Sequence, residues 1–285
     1  MRVVGGVKRL AVSRFAVVGD PVAHSASPRL FQWLAQRLDL DLSYEARRVS
    51  VVDFPSAVAE LRAGRWSGVS VTLPHKLAAL EAADVRDPTA LEVGAANCLV
   101  RAPDGQLTAH NTDLEGITRA LEHHGVGLGG ARVLLLGAGG AARAAAAAAR
   151  RSGAQLVIAN RTFMHGQALA EAFGGWAVPL ETDTLAPILR ETDILLQATA
   201  AGLDAAEESA LPRGCVLHPG LTVMDMVYRP LWTRTLREAR ASGARSVDGL
   251  WMLVFQGLAQ LRLWTQVEAP PGTADALHSH LAEGQ

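Results

Sequence analysis

Val133-Leu134-Leu135-Leu136-Gly137-Ala138-Gly139-Gly140-Ala141-Ala142 carries the fold of this chain. The strand predicted over 132–136 runs straight into a G-x-G-x-x-A turn, and that turn opens a helix predicted over 141–151. In this setting the first glycine makes the tight turn and the second lets backbone approach a pyrophosphate. The small third position allows close helix–strand packing. Free N–H groups and the positive end of the helix dipole then face the phosphates. The alanine run 144–149 adds strong helix propensity and a small face for close packing on a sheet.

The next strand of this unit, over 156–160, ends at Asn160-Arg161-Thr162. An NAD site would place a carboxylate there for the ribose hydroxyl, whereas an arginine can pair with a 2′-phosphate and stack on adenine. The residue order therefore predicts NADP as the cofactor. Its contacts are expected from Gly137, Ala138, Gly139, Gly140, Ala141, Asn160, Arg161 and Thr162.

Outward from this unit, valine-rich runs alternate with amphipathic stretches. Strands are predicted over 14–19, 42–49 and 68–73, with a hairpin of 96–101 and 107–110 around Pro103-Asp104-Gly105. Helices are predicted over 27–38, with Ser27 as cap and Pro28 at the first position, and over 54–62 and 113–124. Later come a helix over 162–173, strands over 194–198 and 223–226, and a helix over 231–242. A long apolar helix over 250–265 and a short polar one after Pro270-Pro271 close the chain. The repeated strand–helix–strand order predicts an α/β fold of parallel sheets covered by helices.

The 285 residues carry a formal net charge of −1, which gives no electrostatic reason to expect nucleic acid or an anionic membrane as partner. A small soluble substrate fits better. Cys98 and Cys215 form no CxxC pair, so a reduced, cytoplasmic setting is expected, with both thiols as buried fillers. Neither a signal peptide nor an apolar run of membrane-spanning length is evident. The opening dozen residues, with Arg2, Lys8 and Arg9, read as a flexible or misassigned start.

Because the nucleotide loop lies mid-chain, the residues before it are expected to supply the substrate site. The uncommon residues collect there. Only two lysines occur, Lys8 and Lys76, in a chain that otherwise writes its positive charge as arginine, and only three asparagines, Asn97, Asn111 and Asn160. A lysine can release its proton and an arginine cannot, so Lys76 marks a position where the two were not exchangeable. Ser25, Ser27, Thr72, Asn97, Asp113 and Lys76 together suit a small polyhydroxy acid. The histidines His24, His75, His110, His123 and His124 lack metal-ligand spacing, and no metal is expected.

In the order they occur, eight segments resemble the shikimate dehydrogenase family. They are Gly19-Asp20-Pro21-Val22-Ala23-His24-Ser25-Ala26-Ser27-Pro28, Val71-Thr72-Leu73-Pro74-His75-Lys76, Gly94-Ala95-Ala96-Asn97 and Asn111-Thr112-Asp113. The glycine loop, Asn160-Arg161-Thr162, Asp225-Met226-Val227-Tyr228 and Gly249-Leu250-Trp251-Met252-Leu253-Val254-Phe255-Gln256 complete the set. The resemblance implies that Ser25 and Ser27 hold a substrate carboxylate and that Lys76 and Asp113 form the catalytic pair. It implies that Thr72, Asn97 and Gln256 contact the substrate, that Tyr228 lines its site, and that Met226 and Gly249 lie beside the cofactor.

Two α/β domains are implied, a substrate domain of residues 1–112 completed by 248–285 and a Rossmann-like NADP domain of 113–247. The C-terminal helix then returns to the first domain. The implied activity is reversible NADP-dependent reduction of 3-dehydroshikimate to shikimate, in aromatic amino acid biosynthesis. Its rivals are an NAD-using quinate/shikimate dehydrogenase and a silent NADP-binding regulator; a homodimer is left open. Three positions depart from the family pattern. Ser70 stands where asparagine is usual, Phe163-Met164-His165 where a second basic residue is common, and Arg229 where asparagine is common.

Overall fold

A computed structural model describes residues 12–203 and 205–283. The reading of the opening segment lies almost wholly outside them. Strand β1 (Ser13–Gly19), buried from Phe15 onward, leads into helix α1 (Ser27–Arg37), β2 (Leu42–Arg48), α2 (Phe54–Arg62) and β3 (Gly68–Val71). Helix α3 (Lys76–Ala82), β4 (Val85–Arg86), α4 (Pro88–Val93), β5 (Cys98–Arg101), β6 (Leu107–His110) and α5 (Asp113–His123) follow. The strands form one sheet in the order β2-β1-β3-β5-β6-β4.

Strand β1 pairs in parallel with β2 and β3, but β3–β5 and β5–β6 are antiparallel. The connection 102–106 is too short for a parallel crossover, which takes about a dozen residues, so this part of the chain must return as a hairpin. Gly105, at φ 91°, makes the turn.

A second sheet holds β7 (Arg132–Leu136), β8 (Gln155–Asn160), β9 (Trp176–Pro179), β10 (Ile194–Gln197), β11 (Thr222–Asp225) and β12 (Arg245–Val247). Its order is β12-β11-β10-β7-β8-β9, and every pairing is parallel. Helices α6 (Gly140–Arg151), α7 (Phe163–Phe173), α8 (Thr182–Glu191) and α9 (Arg234–Ala241) make the crossovers other than the one from β10 to β11. The strand order reverses between β7 and β10, and such a switch point opens a crevice at the carboxyl ends of the strands. Gly137 and Ala198 stand at its two sides. On α6 the side chains of Ala142 and Ala144 through Ala149 are buried, and their small size lets the helix lie close on the sheet.

Helices α10 (Gly249–Thr265) and α11 (Thr273–Ala282) return to the first sheet. Leu250, Leu253, Val254 and Leu261 of α10 share one core with Leu30, Phe31 and Leu34 of α1 and Leu277 and Leu281 of α11. Full burial of each such side chain stabilises by about 1.5–3 kcal/mol. Helix α5 lies directly against α10 because Gly116 has no Cβ; one there would sit 2.9 Å from the Met252 carbonyl oxygen.

Two helix starts differ from expectation. Ser27 is the first residue of α1 and not its cap; Ala26 takes that place, and Ser25 Oγ accepts the Ser27 N–H at 3.2 Å. Helix α9 begins at Arg234 and not at 231, because Thr233 is the better cap and its Oγ1 accepts from Leu236 N–H. Among the described residues no helix is long and apolar enough to cross a membrane.

Candidate active site

A cleft of about 900 Å³ lies between the carboxyl ends of the two sheets. On its first-sheet side, β3 ends at Val71, and the chain turns through Thr72 to Lys76, the first residue of α3. Lys76 Nζ donates to Asp113 Oδ2 at 2.6 Å, with only 15% and 5% of the two side chains exposed. Asp113 is likewise the first residue of its helix, α5, where the dipole favours a carboxylate. Its second oxygen, Oδ1, accepts from Asn97 Nδ2 at 2.8 Å.

Asn97 ties this corner together. Its Oδ1 accepts from the Thr112 N–H at 2.7 Å, and its Nδ2 also donates to Thr112 Oγ1 at 2.9 Å and to Gln256 Oε1 at 3.3 Å. Gln256 and Gln260 stand one turn apart on α10, with Gln260 Nε2 donating to Gln256 Oε1 at 2.7 Å. Gln260 Oε1 accepts from Ser70 Oγ, which in turn accepts from the Tyr44 hydroxyl, both at 2.6 Å. Burial pushes the Tyr44 phenol far above its ordinary value, against opposing hydrogen bonds with Ser70 and Ser27, so it remains a neutral donor.

This chain of buried groups leaves no side-chain nitrogen or oxygen without a partner among the described residues. A network satisfied in this way holds its members rigidly. Sequence reasoning missed Tyr44 and Gln260 and treated Ser70 only as a departure. For Gln260 a signal was present, since it follows Gln256 by four residues on one helix face.

Ser25, Ser27, Thr72 and Tyr228 line the same side of the cleft. Ser27 is buried, and Ser25 Oγ accepts the Ser27 N–H. Burial raises the Tyr228 phenol, with hydrogen bonds to the Ala26 backbone and Ser25 opposing the shift. Tyr228 follows β11 of the second sheet, so it bridges from that sheet to the serine segment. Arg229, exposed beside it, brings Nη1 to 3.5 Å from His24 Nδ1.

The far side of the cleft is the glycine loop. Gly137 has φ 114°, a left-handed conformation that excludes other residues at low cost, and a Cβ there would press on Thr199 and Ala198. At Gly139 a Cβ would meet nothing within 4 Å, so its side of the loop is an open cradle. Gly139 caps α6, whose first N–H groups point past it. The expected residues Gly137, Ala138, Gly139, Gly140, Ala141, Asn160, Met226 and Gly249 all line the cleft. Gly249 packs so tightly that a Cβ would lie 2.6 Å from the Met226 carbonyl carbon.

Arg161 and Thr162 do not line the cleft; both are exposed just beyond Asn160. Exposed Phe163 and Met164 continue that rim. Cys98 is buried, which pushes its thiol far above the range in which it could act as a nucleophile.

An open cradle at a helix N-terminus, facing a lysine–carboxylate pair across a shared cleft, defines an oxidoreductase that takes a dinucleotide and a small polar substrate. Comparison with known proteins narrows the class. Residues 17–99 match the sequence profile of the shikimate dehydrogenase substrate binding domain, 119–217 that of shikimate / quinate 5-dehydrogenase, and 249–274 that of the shikimate 5′-dehydrogenase C-terminal domain. The chain is 43% identical over 258 residues to the shikimate dehydrogenase (NADP(+)) of Thermus thermophilus and 39% identical over 262 residues to that of Methanosarcina mazei. Each alignment covers 90% of this chain and 94% of the relative. The crystal structure of shikimate 5-dehydrogenase from Thermus thermophilus in complex with NADP(H) and shikimate superposes with a TM-score of 0.85 at 40% identity, covering 94% of this chain and 99% of that one. The chain belongs to the shikimate dehydrogenase family.

Proposed function

We propose that this protein is an NADP-dependent shikimate dehydrogenase, interconverting 3-dehydroshikimate and shikimate. The observation that carries the reading is the 2.6 Å Lys76–Asp113 pair, held in one cleft with the open cradle of the glycine loop. Residues 1–112 with 248–285 are read as the substrate lobe and 113–247 as the NADP lobe. The cytoplasm, with Cys98 and Cys215 reduced, is the expected setting. Every proposed group lies within one chain, whether it works alone or as a homodimer.

The residues present fit the cofactor. The backbone of Gly137 through Ala141 would receive the pyrophosphate, Asn160, Arg161 and Thr162 the adenosine end, and Met226 and Gly249 the nicotinamide end. Bound there, NADP supplies or accepts the hydride. Ser25 and Ser27 donate hydroxyl hydrogens to the substrate carboxylate, while Thr72, Asn97, Gln256 and Tyr228 fix the ring. Lys76 Nζ gives a proton to the carbonyl oxygen as it becomes a hydroxyl, and takes one back in the reverse direction. Asp113 keeps the ammonium aimed, and its Oδ1, already held by Asn97, is the remaining acceptor for a ring hydroxyl.

The test uses the purified full chain with shikimate or quinate, each with NADP or NAD, followed by nicotinamide absorbance. The highest kcat/KM is expected for shikimate with NADP. NADP binding without turnover of either acid would overturn the reading in favour of a silent regulator, and a preference for quinate with NAD would overturn its specificity.

A further inference from the structure

We propose that Gly140 is a positioning residue for Lys76, and that its lack of a side chain serves the lysine and not the nucleotide. This inference rests on the reading of Lys76 as the proton carrier. Gly140 opens α6, and the stem of Lys76 lies directly across it. A Cβ at Gly140 would be 2.8 Å from Lys76 Cδ, 3.3 Å from Cβ and 3.5 Å from Cγ. By contrast, a Cβ at the neighbouring Gly139 would touch no protein atom within 4 Å. The two adjacent glycines therefore face different things, Gly139 the open cleft and Gly140 the lysine.

The lysine has little freedom to move aside. Its backbone starts α3, and its carbonyl accepts the Ala96 N–H at 2.9 Å. Its far end is committed to Asp113 Oδ2 at 2.6 Å. Asp113 itself is held by Asn97, so it cannot follow a displaced ammonium. Carbon atoms in ordinary contact stand ~3.5–4.0 Å apart, so a methyl group at 140 would push the stem back by roughly 1 Å. A displacement of that size takes Nζ out of line with Asp113 and with the proton it transfers, and a shift of about 1 Å at a reacting group can cost about 10²-fold in rate.

Gly140 does not have a left-handed backbone, and it sits in the first turn of a helix, so alanine there brings no backbone strain. The cost of Gly140→Ala accordingly falls on what the new methyl group touches. The glycine loop is thus one wall of the lysine's channel as well as a phosphate cradle, and the cofactor loop and the proton carrier meet at one methylene stem.

The test compares Gly140→Ala with Gly139→Ala. Since Lys8 and Lys76 are the only lysines, acylation by an amine-selective reagent followed by peptide mass spectrometry reports on Lys76 without cofactor or substrate. Gly140→Ala is expected to speed Lys76 labelling by about fivefold or more and to lower kcat by about 10- to 100-fold. Gly139→Ala is expected to do the reverse, weakening NADP by about tenfold while leaving Lys76 labelling unchanged.

On a Lys76→Ala background, Gly140→Ala should change the residual kcat less than about twofold, because a residue acting through the lysine has nothing left to act on. Unchanged labelling in Gly140→Ala, or a full additional loss on the Lys76→Ala background, would overturn the inference. If Lys76→Ala itself turned over normally, the reading of Lys76 as proton carrier would fail instead, and the labelling difference would stand apart from it.

Discussion

Asp225 ends β11 and is fully buried. Its carboxylate accepts from Thr233 Oγ1 at 2.7 Å, Val227 N–H at 3.0 Å and Gln197 Nε2 at 3.2 Å. Gln197 also donates to the carbonyls of Thr199 and Ala201, so one buried hub fixes both second-sheet loops that reach the cleft. Burial outweighs the three donors and pushes this carboxyl from 3.8 up to about 6. A raised acid in the folded protein means that the bound proton stabilises the fold. That contribution is fully present below 3.8 and is lost as pH rises through about 6.

Moving the pKa over that interval corresponds to about 3 kcal/mol, at ~1.4 kcal/mol per unit. Roughly half of this is already gone near pH 5, and the other half is lost by about pH 7.5. Asp225→Asn keeps the shape of the group and cannot titrate. Urea unfolding followed by tryptophan fluorescence should show wild type losing about 1 kcal/mol more than the variant between those two pH values. Parallel pH–stability curves for the two proteins would refute the reasoning.

Ser70→Ala strands the Gln260 carbonyl and removes one partner of the Tyr44 hydroxyl, and should destabilise by about 2 kcal/mol in urea unfolding. Combined with Tyr44→Phe it should cost less than the sum of the single changes, whereas strict additivity would show that the three side chains are not one network. Arg161→Ala should raise KM for NADP by about tenfold or more and leave KM for NAD within about twofold; equal losses would remove Arg161 as the reader of the 2′-phosphate. Gly249→Ala forces a methyl group against the Met226 backbone and should destabilise by roughly 1–3 kcal/mol, seen as a lower Tm; an unchanged Tm would contradict the close packing.

The second sheet was legible because the glycine loop fixes a strand, a turn and a helix at known offsets, and the remaining strands repeat that unit. Elements with weak or contradictory local signals escaped. Helix α8 contains Pro187, which reads as a breaker, and β9 ends in Pro179, tolerable only because β9 is an edge strand. Helices α3 and α4 are short, and their order is set by what they hold, Lys76 and the left-handed turn at Gly94. In the candidate site, the rare residues Lys76 and Asn97 stood out against the composition, and Asp113 beside them. Tyr44 and Gln260 did not, because a tyrosine in a strand and a glutamine in an apolar helix look like ordinary packing until tertiary structure joins them through Ser70. The Asp225 hub was hidden for a similar reason, since Gln197, Asp225 and Thr233 come from three separate elements.

The most direct test of the account removes the amine and keeps the cleft. In Lys76→Ala, single-turnover oxidation of shikimate by NADP should slow by about 10²-fold or more, while NADP affinity stays within about threefold of wild type. Turnover close to that of wild type, with the variant folded and the cofactor bound, would contradict it.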